Sequence, residues 1–338
     1  MHEIDLNKYR LRTDLISEHI DSNNNIKKEV KSYNNIKVET VTLSSDDAKI
    51  IEKEAGVYKT IYFDDVTDEG NFNKVLDVLI RELKEMLKLT EVKNSYSCLI
   101  VGLGNRKATP DALGPLTVEG VKITRQIIEV GLALDEKYRV ISSLSPGVMG
   151  TTGIETKEII EGVIEKTKPD FLIVIDALAA SSLERINKTI QITNTGITPG
   201  SGLLNNRFAI NESSLNIPVI AIGVPTVVDA TTIVSNTINY MFRHFSYEKE
   251  NANNKALKLV LPENRNYKNH DKTLSKEEKK EVMGLIGNLN DEEIKTLISE
   301  VLTPLGYNLL VTPKEIDYVI EQLSKLLAVG INKSLELN

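Results

Sequence analysis

Cys98-Leu-Ile-Val-Gly-Leu-Gly104 and Phe171-Leu-Ile-Val-Ile-Asp176 decide the fold. Each is a short apolar run without polar alternation. Such runs suit strands buried on both faces, as in a parallel sheet. Working outward, helical and extended patterns alternate. Residues 72–87 carry apolar side chains at helical spacing, and 112–130 read as a helix. Tyr138-Arg-Val-Ile-Ser-Ser-Leu144 reads as a strand, and 156–166 as a helix with Thr156 as its cap. Residues 189–193 and 217–223 read as strands, and 230–242 as a helix. This order predicts an α/β fold, a doubly wound sheet flanked by helices.

The flanks differ in character. Residues 1–60 are polar and irregular, and predict a mobile arm followed by a short strand near 36–43. Residues 246–281 are polar and charged, and read as an insertion or linker, or as a solvated helical face. Residues 276–289, 291–302 and 312–327 have helical patterns. The expected organisation is an arm at 1–14, an α/β domain at 15–245, a polar insertion at 246–281 and a small helical C-terminal addition at 282–338.

Composition narrows the function. The chain has 338 residues, 41% of them hydrophobic, which suits one large α/β domain with additions, or two domains. No apolar run is long enough to span a bilayer, and the start has no secretory pattern. Net charge is −7 and the pI is near 5.4, with no basic stripe, so neither a membrane nor a nucleic-acid partner is expected. The one cysteine, Cys98, excludes an internal disulfide and a multi-cysteine zinc site, and fits a cytoplasmic setting.

Ligands of open α/β sheets bind at the carboxyl ends of the strands. Three segments are expected there. Val101-Gly-Leu-Gly-Asn-Arg-Lys-Ala-Thr-Pro-Asp111 leaves a strand through a glycine-rich turn and enters a helix, with Gly104 and Asn105 in the turn. Asp111 reads equally as a helix cap or as a catalytic carboxylate. Asp176 follows five apolar residues, so its charge must be paired, hydrogen-bonded or neutralised, and a raised pKa is expected. The alternative is a strand-end aspartate that caps the next turn. Third come Ser145-Pro-Gly-Val-Met-Gly150-Thr151-Thr152-Gly153-Ile-Glu155 and its partner Asn194-Thr-Gly-Ile-Thr-Pro-Gly200-Ser201-Gly202. Their glycines allow backbone N–H groups to approach a substrate or oxyanion, or simply make tight turns.

Several chemistries fail on the residues. Gly102-Leu-Gly104 lacks the third glycine of a dinucleotide fingerprint, and no phosphate loop is present. Ser201 lies outside a nucleophile-elbow pattern. The four histidines, His2, His19, His244 and His270, lie away from the predicted strand ends, against a triad or a histidine-ligated zinc. A carboxylate-only metal site drawing on Asp111, Asp176, Glu155 or Asp229 stays open. Also open are a binding module, in which Asp111 and Asp176 only cap structure, and, more weakly, a nucleotide-binding module. A close aspartate pair can hold one proton, so that one member acts as general acid while the other activates water.

Several long motifs, in order, resemble the germination proteases of spore-forming bacteria. They are Arg12-Thr-Asp-Leu, Gly102-Leu-Gly-Asn, Thr109-Pro-Asp-Ala-Leu-Gly-Pro, Pro146-Gly-Val-Met-Gly-Thr-Thr-Gly-Ile-Glu-Thr, Val174-Ile-Asp-Ala-Leu-Ala-Ala, Thr195-Gly-Ile-Thr-Pro-Gly-Ser-Gly and Gly223-Val-Pro-Thr-Val-Val-Asp-Ala. The resemblance covers nearly the whole chain. It implies an atypical aspartic endopeptidase, similar in fold to hydrogenase-maturation proteases, with its essential aspartates at Asp111 and Asp176. It implies a zymogen in the cytoplasm of the developing spore, a homotetramer, and degradation of small acid-soluble spore proteins during germination. No cofactor is expected, and, with no histidine in a motif comparable to that of the nickel-binding hydrogenase-maturation proteases, no metal, the alternative being a carboxylate-ligated metallopeptidase. Family substrates are cut between an acidic and an apolar residue; Thr13-Asp14-Leu15-Ile16 is similar, departing at Ile16 where the family has alanine. Self-cleavage is therefore expected between Asp14 and Leu15, which makes 1–14 a propeptide; the alternative is that Asp14 only caps a helix through 15–20.

Overall fold

The computed structural model describes residues 13–21, 26–131, 135, 137–199, 209–254, 270, 272–302 and 309–337. Most of the expected arm, 1–12, and the middle of the expected polar insertion, 255–269, lie outside them. Two compact units divide the described residues, one drawn from 13–228 and 312–337, the other from 229–311.

The first unit is built on a mixed sheet. Its strands are β1 (Lys28–Tyr33), β2 (Ile36–Leu43), β3 (Gly56–Tyr62), β4 (Cys98–Gly102), β5 (Ile141–Leu144), β6 (Phe171–Ala180), β7 (Thr189–Thr193) and β8 (Val219–Asp229). They lie in the order β1-β2-β3-β7-β8-β6-β4-β5. The neighbours β5, β4, β6 and β8 run parallel, in keeping with their unbroken apolar character. β7 runs antiparallel to β8, and β3, β2 and β1 continue outward as an antiparallel meander.

The helices of this unit are α1 (Ile16–Asp21), α2 (Ser45–Ile50), α3 (Glu69–Leu89), α4 (Leu113–Glu119), α5 (Arg125–Glu129), α6 (Met149–Thr152), α7 (Thr156–Thr167) and α8 (Glu212–Leu215). α9 (Ala230–Glu250), α10 (Lys276–Met283) and α11 (Asp291–Leu302) belong to the second unit, and α12 (Ile316–Leu335) returns to the first. Alternation along each strand sends residues to opposite faces. Ile100, Ile173, Ile175, Ile192 and Ile222 meet the apolar stripes of α3 and α12 on one face. Leu99, Val101, Leu172, Val174 and Val219 meet Ile160 of α7 and Leu215 of α8 on the other. The expected α/β sheet flanked by helices is present, with an antiparallel wing added.

Some sequence expectations change. Residues 28–62 hold a three-stranded meander rather than an irregular arm with one strand. Ile36, Val38, Val41 and Leu43 of β2 are buried, on both of its faces, and exposed β1 closes the edge. The helix expected over 112–130 breaks at Gly120 into α4 and α5. Thr156 is the first residue of α7 rather than its cap; Glu155 occupies the cap position without a side-chain bond. The break expected after residue 245 falls inside α9, which continues to Glu250. The last helix is not part of a separate C-terminal addition, because Ile320, Leu323, Leu326, Leu327 and Ile331 join the main core.

In the second unit α9 packs against α11, and Phe242 is buried. Asp229 caps α9, accepting from the Thr231 N–H at 2.7 Å. That bond gives a structural role to a carboxylate that the sequence left open as a metal ligand.

Candidate active site

β4 ends at Gly102, opposite Ile175 of β6, and one further bond, from the Leu103 N–H to the Ile175 carbonyl at 2.8 Å, closes that ladder. Beyond it the chain turns back. A side chain at Gly102 would put its Cβ 2.2 Å from the Gly114 carbonyl oxygen, so the strand end and α4 touch backbone to backbone. Gly104 sits at φ 113°, and a Cβ there would lie 2.0 Å from the Asp111 carbonyl oxygen. Only glycine permits both the backbone angle and the approach. Asp111 closes the short 3-10 turn Thr109–Asp111, and its Oδ2 accepts from the Asn105 N–H at 2.7 Å. Its carboxylate thus bonds back across the turn, while α4 has no side-chain cap. The turn lies against β6.

Asp176 is not at the strand end. β6 continues to Ala180, and Asp176 is buried, with 7% of its surface exposed. The β4 ladder stops one residue short of it, and Asp111 lies in the turn that follows β4, the parallel neighbour of β6. Asp176 Oδ1 accepts from the Ala177 N–H at 2.9 Å. By alternation Asp176 shares the face of Leu172 and Val174, the α7 side. It stands level with Gly223 of β8, which stands level with Gln191 of β7. These three form one row on one face, and Leu178 covers the glycine.

β5 ends beside β4, so the loop that follows leaves at the same edge. It forms α6, closed by Gly153 at φ 74°. Gly150, Thr151, Thr152 and Gly153 are exposed, and Glu155 is half-buried. A Cβ at Gly150 or Gly153 would meet nothing within 4 Å. The loop therefore presents its glycines outward.

The partner loop does not follow suit. β7 is antiparallel to β8, and Thr193 at its end stands level with Ala221, near the start of β8. Residues 194–199 thus leave toward the opposite edge, where Ile197 pairs with Ile210. A loop at the carboxyl edge is expected only if β7 is parallel to its neighbours, and it is not. Gly200, Ser201 and Gly202 lie outside the described residues.

The Asp14–Leu15 bond is held against the same sheet. The Asp14 N–H donates to the Ala179 carbonyl at 3.2 Å, and the Ala179 N–H donates to Asp14 Oδ2 at 2.9 Å. Gln191 brackets the bond: its Oε1 accepts from the Ile16 N–H at 2.8 Å, and its Nε2 donates to the Asp14 carbonyl at 3.4 Å. Lys53 Nζ reaches the Thr13 carbonyl at 3.1 Å and the Asp14 carbonyl at 3.5 Å. The Leu15 N–H donates to Thr13 Oγ1 at 3.1 Å, and that hydroxyl donates to Glu18. Glu18 Oε2 also accepts from the Ser181 N–H and hydroxyl, and Glu18 faces Arg185. Leu15 and Ile16 are fully buried. The segment is anchored to β6 through Ala179 and to β7 through Gln191, the two strands that flank β8. No sequence motif marks Gln191, Lys53 or Glu18, and Ala179, though inside the Val174–Ala180 motif, carries no signal of this contact.

His19 Nε2 lies 3.1 Å from the Thr13 carbonyl. Burial, and then the Lys53 ammonium, hold its imidazole below the usual value, against the pull of the Thr13 carbonyl, Asp14 and Glu52. Burial pushes the Cys98 thiol up, so this β4 residue behaves as a small apolar side chain. Among the described residues no group of three or more His, Cys, Asp or Glu side chains is arranged to hold a metal ion. No described helix is long and apolar enough to cross a membrane.

The germination protease family matches residues 4–338 of the chain. A germination protease of Geobacillus sp. (strain WCH70) is 44% identical, over 98% of this chain and 95% of its own. That of Bacillus subtilis (strain 168) is 42% identical, over 98% and 95% respectively. Among solved structures, a NiFe hydrogenase maturation protease, HycI, from Thermococcus kodakarensis KOD1 overlaps 43% of this chain and 80% of its own. That overlap has 20% identity and a TM-score of 0.28.

Proposed function

The chain belongs to the germination protease family, and from that premise we propose that it is a self-processing endopeptidase that hydrolyses peptide bonds with Asp111 and Asp176. One aspartate takes a proton from water while the water oxygen attacks the carbonyl carbon; the other gives a proton to the leaving nitrogen as the C–N bond breaks. The observation that carries this reading is the docking of the Asp14–Leu15 segment. Gln191, which brackets that bond, shares a row and a face with Asp176, two strand spacings or about 10 Å away. Cleavage there removes 1–14 and leaves Leu15 as the new N-terminus.

In this reading the chain is a zymogen, and acidification favours processing by supplying the proton that the pair shares. The later substrates are small acid-soluble spore proteins, taken in the cytoplasm of the spore by a homotetramer. The exposed loop with Gly150, Thr151, Thr152 and Gly153 forms the rim they cross, and Gly104 and Asn105 hold Asp111 in place.

The test is self-processing, and cleavage of a peptide containing Thr-Glu-Ile-Ala, for wild type, Asp111→Asn and Asp176→Asn, each with and without chelator. Folded mutants that do not cut, with wild type indifferent to chelator, are the expected result. Loss of cutting with chelator and its return with metal would instead make the carboxylates ligands of a metallopeptidase. Mutants that still cut would move the site elsewhere.

A further inference from the structure

We infer that Gln191, together with Lys53, polarises and fixes the carbonyl group of the bond that is cut. The inference rests on the reading that Asp14–Leu15 is the processing site. Gln191 is a buried amide in the middle of the sheet, and the bonds of its side chain run to groups on either side of that bond. An unpaired buried amide is costly, so a glutamine suits such a row only where its partners are present. Here both partners are backbone groups, the Asp14 carbonyl at the end of the arm and the Ile16 N–H just past the bond. Gln191 therefore holds peptide backbone, as a neighbouring strand would, and it does so across one particular bond.

The donors converge on one atom. Gln191 Nε2 and Lys53 Nζ both point at the Asp14 carbonyl oxygen, at 3.4 and 3.5 Å. Those are long bonds to a neutral carbonyl. When water adds to the carbonyl carbon, the π electrons move onto that oxygen, which becomes an anion. A fixed amide N–H and an ammonium stabilise that anion more than the carbonyl, and their bonds shorten as charge develops. The anion then reforms the carbonyl as the C–N bond breaks, and the leaving nitrogen takes its proton from the aspartate that acts as acid. The other side of the bond is held as well. The Leu15 N–H donates to Thr13 Oγ1, and the Thr13 hydroxyl donates its own hydrogen bond to Glu18, which leaves an oxygen lone pair toward Leu15. The peptide is thus locked in one rotation about the carbon that is attacked.

The experiment follows self-processing of the full chain by intact mass and N-terminal sequencing. Gln191→Met keeps the volume and removes the donor and the acceptor. Its rate is expected to fall on the order of 100-fold, the usual loss when one such donor is removed, with the melting transition retained. Lys53→Met is expected to slow processing, and Lys53→Arg, which keeps a charged donor, to restore most of the rate. Lys53 sits outside the sheet strands, so this pair remains informative if Gln191→Met fails to fold. A wild-type chain that cuts at Asp14–Leu15, with Gln191→Met equally fast, overturns the inference and leaves the processing site standing. Equal rates for Lys53→Met and Lys53→Arg overturn the part given to Lys53. A wild-type chain that never exposes Leu15 overturns the processing site, and the inference with it.

Discussion

The Ala179 N–H and the Asp14 carboxylate are joined at 2.9 Å, on the same strand that carries Asp176. The reciprocal bond, from the Asp14 N–H to the Ala179 carbonyl, ties both the backbone and the side chain of Asp14 to one residue of β6. An acidic side chain at this position is therefore read by backbone, and the bond that follows it is placed by that reading.

Removing the carboxylate should loosen the arm. A hydrogen bond to a charged group contributes about 1.5–3 kcal/mol. In Asp14→Ala that bond is lost, and the Ala179 amide has no acceptor from the arm. Hydrogen exchange at the Ala179 amide is expected to speed up by about tenfold or more relative to wild type, with the amides of β4 unchanged. Unaltered protection at Ala179 would mean that the pairing contributes nothing to holding the arm.

Gly104 and Gly150 should respond oppositely to alanine. At Gly104 the positive φ alone costs about 1–3 kcal/mol for another residue, and the new Cβ would strike the Asp111 carbonyl. Gly104→Ala is expected to lower the melting temperature and to abolish cleavage by displacing Asp111. Gly150→Ala meets open space and should keep stability within about 0.5 kcal/mol. If Gly104→Ala cuts normally, the turn does not position the carboxylate that matters.

How much of this is legible in sequence depends on what kind of pattern carries it. The strands around Ile100 and Ile173 are legible because an unbroken apolar run has few other uses. Asp111 and Asp176 stand out as candidates because one enters the turn after such a run and the other ends it, although β6 in fact continues past Asp176 to Ala180. The direction of β7 is not, since Thr189-Ile-Gln-Ile-Thr193 reads the same in either orientation and only its partners fix it. Gln191 is lost for a related reason. One polar residue inside a strand looks like the solvent face of a two-sided pattern, and its partners lie at Asp14 and Ile16, far away in sequence. The meander is obscured because β1 is exposed along nearly its whole length and carries no apolar signature.

A buried ion cluster should show the asymmetry of buried charge. Lys59 of β3 lies 2.6 Å from Glu82 and 2.5 Å from Glu85 of α3, with Lys59 and Glu82 almost fully enclosed. Lys59→Met leaves Glu82 without its cation and is expected to cost about 3–5 kcal/mol in urea unfolding. Adding Glu82→Leu to it should recover much of that loss, because both desolvated charges are then gone. A double variant no more stable than Lys59→Met would show that the loss comes from packing and not from a stranded charge.

His19 should make arm docking sensitive to pH, in a definite direction. With the arm docked, burial and Lys53 hold the imidazole below its usual value near 6.5, so docking favours the neutral ring. The contribution of His19 is complete above that value and is lost as pH falls through the depressed one. Acidification therefore weakens docking through His19, while in the proposed mechanism it favours chemistry through the proton shared by Asp111 and Asp176. The two effects oppose each other in wild type. His19→Gln keeps a polar side chain that does not titrate, and leaves only the second effect. Between neutral and mildly acidic pH, self-processing of His19→Gln is expected to accelerate more steeply than that of wild type, and the protection factor of the Ala179 amide, which divides out the pH dependence of intrinsic exchange, to vary less with pH than in wild type. Parallel profiles for the two proteins would remove His19 from the response, and a flat profile in both would remove the aspartate pair as its acid trigger.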